Sequence, residues 1–193
     1  MTKTVNLWPT KILLCEHYDS EHNAEIEKVL LDRPIPSNFM EELRIFNVEK
    51  IENDSIQWML DRVRDNVSDY MLGLQDFDIT ARAVILRKGC HLRTHTERDE
   101  SDLAVAYWPS GDMDNRKPIN NLGDGIQSPT FVIEDPSRGL NDARLPFENY
   151  YSFPVTPRAG LMVVFPSHVP HSMYPWMGEK PFVHIVFQIR FKR

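Results

Sequence analysis

The stretch RAGLMVVFPSHVPHSMYPWMGEKPFVHIVFQIRF, residues 158–191, decides how the chain is read. It opens on a turn at Arg158 to Gly160, enters the apolar run LMVVF and halts at Pro166. A Pro-flanked loop follows, carrying His168 and His171, and the stretch closes on PFVHIVFQIRF. Short runs of branched and aromatic residues bounded by proline and glycine are strand-like. Four upstream runs repeat the pattern: ITARAVIL, DLAVAYW, TFVIE and NYYSFPV. Their breakers are Lys88-Gly89, Pro109-Ser110-Gly111, Asp135-Pro136 and Pro157 to Gly160. Many short strands with regular turns predict an antiparallel β-sandwich or barrel of the jelly-roll kind from about Asp78 onward. The long polar segment NRKPINNLGDGIQSP, residues 115–129, fits a functional lid or rim.

The chain before Asp78 reads differently. Asp19 or Ser20 can cap a helix through HNAEIEKVLL, which ends before Pro34 and Pro36. A second helix is predicted from about Asn53 to Leu74, where Ile56, Leu60, Val63, Val67, Tyr70 and Leu74 recur at helical spacing. That stripe is a core face, so these helices are expected to buttress the β-region rather than do chemistry. The division is then 1–76 as helical support and 77–193 as β-core, within one domain of 193 residues.

Composition narrows the classes of function. The net charge is −6, and no segment concentrates lysine and arginine, which argues against a nucleic-acid partner. No apolar run approaches the ~20 residues that span a bilayer, and MTKTVNLWPTKILL lacks a secretory pattern. Two cysteines, Cys15 and Cys90, are too few for a disulfide framework and suit a reducing cytoplasm. A cytoplasmic location without membrane attachment is expected, with a homodimer left open.

The chemistry is carried by histidines. In CHLRTHTERDESDLAVAYW, residues 90–108, His95 and Glu97 lie two apart, so on an extended strand they share a face. Imidazole plus carboxylate makes two thirds of a 2-His-1-carboxylate triad, whose open positions serve a non-haem iron oxygenase. The pair by itself is weak, because seven histidines and 28 acidic residues generate such pairs by chance. Asp99 or Asp102 becomes the carboxylate if the strand register shifts.

Taken together, these motifs resemble the C-terminal signature of Fe(II)/2-oxoglutarate oxygenases. In that family the strand before the distal ligand commonly ends in Phe-Pro, as Phe165-Pro166 does here, and the ligand histidine opens the next strand, as His171 would. TFVIEDP, ending at Asp135-Pro136, is similar to a strand end in small bacterial and phage members, and so is the opening Trp8 to Thr10. The resemblance implies a double-stranded β-helix core and assigns His95, Glu97 and His171 to iron(II), with His168 as rival for the distal place. The chain departs from the common His-x-Asp in having His-x-Glu, which keeps an oxygen ligand but lengthens it by one methylene. His91 is expected to pack or hydrogen-bond at the pocket rim.

The resemblance also implies 2-oxoglutarate and dioxygen as co-substrates, with succinate and carbon dioxide released as a small-molecule or peptidyl substrate is hydroxylated. The distal carboxylate of 2-oxoglutarate needs a cation. Lys180, nine residues after His171, stands where prolyl-hydroxylase-type members place theirs, whereas other small members use an arginine where this chain has Phe182. Arg190 and Arg82 are the other candidates. Tyr107, Trp108, Tyr174 and Trp176 are expected near the mouth or in the core, and Arg138 on the substrate side or in solvent. Phe182 favours a second reading, a cupin-like metal enzyme that does not use 2-oxoglutarate. A third is a metal-free jelly-roll binding or structural protein.

Overall fold

The structure is a computed structural model, and it describes residues 2–7, 10–33, 42–73, 75–99, 101–111, 129–136 and 152–192. Eight strands form the heart of the molecule: β4 (Phe77–Leu86), β5 (Leu92–His95), β6 (Leu103–Trp108), β7 (Phe131–Glu134), β8 (Ser152–Val155), β9 (Leu161–Pro166), β10 (His171–Met173) and β11 (Phe182–Phe191). Strands β4, β6, β9 and β11 enter a large sheet, and β5, β7, β8 and β10 form a second sheet in the order β5-β10-β7-β8. All described pairings are antiparallel. This is the double-stranded β-helix expected, with its two sheets facing each other.

The two helices lie where capping residues and apolar periodicity put them. Helix α1 (Ser20–Leu31) starts at Asp19, whose carboxylate accepts from the Glu21 and His22 amides. Helix α2 (Asp54–Met71) starts at Asn53, whose side chain accepts from Ser55 and Ile56. Each cap satisfies amides that the first helical turn leaves without partners. The first third is not wholly helical, however. Strands β1 (Thr2–Leu7), β2 (Thr10–Glu16) and β3 (Glu42–Phe46) extend the large sheet on both sides, giving the order β1-β2-β9-β6-β11-β4-β3. Strand β2 pairs with β9 and β3 with β4, so residues before 77 complete the sheet as well as support it.

Alternation along the large sheet makes two cores. One face (Ala83, Ile85, Val105, Val164, Ile185 and Phe187 among others) packs on Ile26 and Leu30 of α1 and on Met59, Leu60 and Val63 of α2. The opposite face (Val84, Ala106, Trp108, Val163, Phe165 and Phe182) packs on Leu92, Phe131, Ile133 and Met173 of the small sheet. Burial on both faces explains why β6 and β9 read as continuous apolar runs. Polar residues on the second face, His184 among them, thus lie in the space between the sheets, beside the site. The segment 112–128, most of the expected lid, lies outside the described residues, as does Arg138.

Candidate metal centre

Three side chains from different segments converge at one end of the space between the sheets. His95 closes β5, His171 opens β10, and the two are direct partners across that antiparallel pair. Glu97 lies past the end of β5, so the carboxylate comes from a loop, not from the same-face strand geometry that the spacing suggested. That loop is stitched to the one preceding β10: the Glu97 amide donates to the Ser167 carbonyl at 2.9 Å, and Ser167 Oγ donates to the Ser101 carbonyl at 2.6 Å. Ser101 in turn returns two hydrogen bonds to the Glu97 carbonyl, from its amide at 3.2 Å and its hydroxyl at 3.1 Å.

One donor atom from each of the three residues lies within 4.8 Å of the others, close enough to bind one ion. Glu97 Oε1 is 3.3 Å from His95 Nε2 and 3.9 Å from His171 Nε2. Both imidazoles are turned by their own backbone. Nδ1 of His95 meets the Arg93 carbonyl at 2.8 Å, and Nδ1 of His171 meets the Val169 carbonyl at 3.0 Å. A carbonyl only accepts, so each Nδ1 carries the proton and each Nε2 is left facing the cluster. Metal-binding histidines are oriented in this way by a partner on the far nitrogen. Glu97, 4% exposed, is held on its other sides by the Arg82 guanidinium on Oε1 and by Gln188 Nε2 on Oε2 at 2.7 Å.

The electrostatics suit a cation. Burial works against the Glu97 charge, yet the His95 hydrogen bond and the Arg82 guanidinium hold its carboxyl below the usual range. The hydrogen bond to Glu97 pushes His95 up, although its partial burial opposes this. A proton and a cation therefore compete for His95 Nε2. His171, packed between Phe131 and Phe165 at ring distances of 5.5 and 4.9 Å, is pushed down by burial and then by the nearby His95. It stays neutral, with its Nε2 lone pair available.

The rivals for these places lie elsewhere. His168 and Asp99 are exposed. Asp102 accepts from the Phe191 amide at 2.9 Å and its backbone joins β11 and the Ser167 loop, so it holds the frame together. His91 is exposed on the rim of a cavity of about 780 Å³ that opens beside His95. Of the three candidate cations for a co-substrate, only Arg82 lines that cavity. Lys180 is exposed in a turn where its carbonyl accepts from Trp176 Nε1 at 2.6 Å, and Arg190 is exposed near the far end of β11, opposite Asp78. Trp176 stacks on Phe182 at 4.8 Å, and Tyr174 is exposed. Tyr107 points away from the site, into the helix-facing core, where its hydroxyl donates to Asn23.

Two further contributors, Gln188 and His184, could be placed on one strand parity from sequence but given no role. Gln188 shares strand parity with His184 and Arg190, but nothing in that alternation said that its amide would reach Glu97. His184 is fully buried against Trp108 at 5.3 Å, and among the described residues neither ring nitrogen has a hydrogen-bond partner. Burial pushes it down to about 3, so it is neutral. Buried imidazole nitrogens without partners are rare and mark a place where a bound polar group fits.

The fold and the cluster together define a class, a double-stranded β-helix carrying a His-Glu-His group at its open end. Comparison with solved structures agrees on the fold. The chain is similar to a prolyl-4-hydroxylase from Pseudomonas putida at 13% identity, covering 94% of this chain and 92% of that one with a TM-score of 0.61. It is also similar to HygX from Streptomyces hygroscopicus bound to nickel, 2-oxoglutarate and hygromycin B (13% identity, 94% and 83% covered, TM-score 0.64). A third relative in shape is a 2OG-Fe(II) oxygenase family oxidoreductase from Burkholderia pseudomallei (13% identity, 93% and 84% covered, TM-score 0.61). The fold is therefore the one these 2OG-Fe(II) oxygenases share. The sequence matches no protein-family model and no curated protein.

Proposed function

We propose that the protein is an Fe(II)- and 2-oxoglutarate-dependent dioxygenase that hydroxylates an amino-acid, peptide or small-metabolite substrate. The observation that carries this reading is the convergence of His95, Glu97 and His171 with both Nε2 atoms turned inward. His95, Glu97 and His171 would hold the iron, two neutral nitrogen donors and one carboxylate, leaving cis positions open. Iron with 2-oxoglutarate and dioxygen supplies the oxidising power for C–H hydroxylation, with succinate and carbon dioxide as by-products. The protein's own part is to fix the donors, keep Glu97 ionised through Arg82 and Gln188, and shelter the site between two apolar sheets.

Among the cations, Arg82 is favoured to face a co-substrate carboxylate because it lines the cavity and reaches the cluster, with Lys180 and Arg190 as rivals. The His184 nitrogens, without partners among the described residues, add one donor and one acceptor deeper between the sheets. A second reading, a metal enzyme that does not use 2-oxoglutarate, rests on Phe182. That residue is buried and stacked on Trp176 where small members of the family carry an arginine.

Incubating full-length protein with iron(II), 2-oxoglutarate and air, then measuring bound iron and released succinate, separates the readings. The proposal expects stoichiometric iron in wild type and in His168→Ala, its loss in His171→Ala, and succinate release even without substrate. Iron without succinate favours the second reading. Full iron in His171→Ala together with loss in His168→Ala overturns the ligand assignment.

A further inference from the structure

The cavity beside His95 carries more positive charge than the cluster uses. Arg44, Arg82, Lys88 and Arg93 line it, and no acidic residue does among the described residues, although the chain's net charge is −6. Arg82 faces Glu97. The other three cations are exposed and stand further out, on two walls. Arg44 comes from β3, the edge strand of the large sheet, in register with Val84 on the cavity floor. Lys88 comes from the turn after β4, and Arg93 from β5 of the small sheet.

Both walls are fixed by backbone. The β4–β5 turn is locked to the segment after β10, with the Gly89 amide donating to the Trp176 carbonyl at 2.6 Å and the Trp176 amide to Cys90 at 2.8 Å. Gly89 has φ of +87°, a conformation that suits glycine and lets the turn bend there. Arg44 rides on a strand paired over five residues with β4.

We infer that the substrate enters this cavity with an oxyanion group, a carboxylate or a phosphate, held between Arg44 on one wall and Lys88 and Arg93 on the other. Like charges gathered along a concave wall focus a positive potential and draw anions in. Lys88 also pairs with Glu179, but both are exposed, and such a solvent-screened pair is weak, so it yields to a ligand. The volume is that of a small-molecule site. The inference rests on the oxygenase reading for the fate of the substrate; the anion site stands apart from it.

The competing source of an oxyanion is 2-oxoglutarate itself, and the test separates the two. Nickel-loaded full-length protein is titrated calorimetrically with inorganic phosphate and with sulfate at low salt, first alone and then with saturating 2-oxoglutarate. The expected result is anion binding in both series, at least tenfold weaker in the Arg44→Ser/Lys88→Ser double variant, with nickel content unchanged. Anion binding abolished by 2-oxoglutarate would give these cations to the co-substrate and overturn the inference. So would a double variant that binds like wild type, or a wild type that binds neither anion. If 2-oxoglutarate never binds, the oxygenase reading fails, while the loss of phosphate binding in the double variant still supports the oxyanion site.

Discussion

His95 and His171 each give their Nδ1 proton to the carbonyl two residues earlier, so the backbone sets both tautomers before any metal arrives. Their titrations differ because their surroundings differ. His95 is raised by Glu97, so in the metal-free protein its proton must leave before a cation can take its place. Iron affinity should therefore fall as pH falls through the raised His95 pKa, about tenfold per pH unit where one proton is displaced. Anaerobic iron titrations from pH 8 to 5 read this directly; a flat profile would remove His95 from the ligand set. Gln188 Nε2 donates to the Glu97 carboxylate at 2.7 Å, and its Oε1 accepts from the Thr80 hydroxyl at 3.4 Å. Gln188→Leu should weaken iron by about 10–100-fold, the usual cost of losing a supporting contact. The cluster's three members were legible from His-x-Glu and from the histidine after Phe165-Pro166. Arg82's hold on Glu97 was not, because strand parity says which face a residue takes and not whom it meets.

At the scale of elements, the turn-bounded apolar runs located six of the eight strands from β4 onward, and caps and periodicity located both helices. The short β5 and β10 carry little pattern of their own: Arg93 and Thr94 are exposed within a four-residue strand. Strand β3 escaped because its LRIF alternation is too brief to stand out, and with it went Arg44. Long-range pairing makes these strands, and local composition does not report it. Gly160 shows how strictly one junction is built. It has φ of +78°, and a Cβ there would come 2.5 Å from the His17 carbonyl oxygen, where β2 meets the start of β9. Gly160→Ala must therefore shift backbone and should destabilise by more than Asn53→Ala, which removes one helix cap at about 1 kcal/mol. Denaturant midpoints of the two variants rank them; equal midpoints would mean that the junction relaxes freely.

Across the whole molecule, one sheet is covered on both faces, so helices, large sheet and small sheet are expected to unfold together. Burial of neutral His184 in that core makes stability depend on pH. Its pKa falls from 6.5 when unfolded to about 3 when folded, so the unfolded chain binds the extra proton between these values. Its contribution is present above pH 6.5 and is lost at up to roughly 1.4 kcal/mol per pH unit on the way down. Urea unfolding of metal-free wild type and His184→Leu at pH 7.5 and 5.0 should show a smaller acid loss in the variant. An unchanged loss would mean that His184 is not buried neutral. The central claim, that this β-helix holds iron at His95, Glu97 and His171 for use with 2-oxoglutarate, is tested most directly by visible absorption during anaerobic titration of the iron-loaded chain with 2-oxoglutarate. A 2-oxo acid chelated to ferrous iron gives a charge-transfer band. The band should appear in wild type, survive His168→Ala, and vanish in Glu97→Ala and His171→Ala. Iron bound with no band in wild type, or a band that persists without Glu97 and His171, would contradict it.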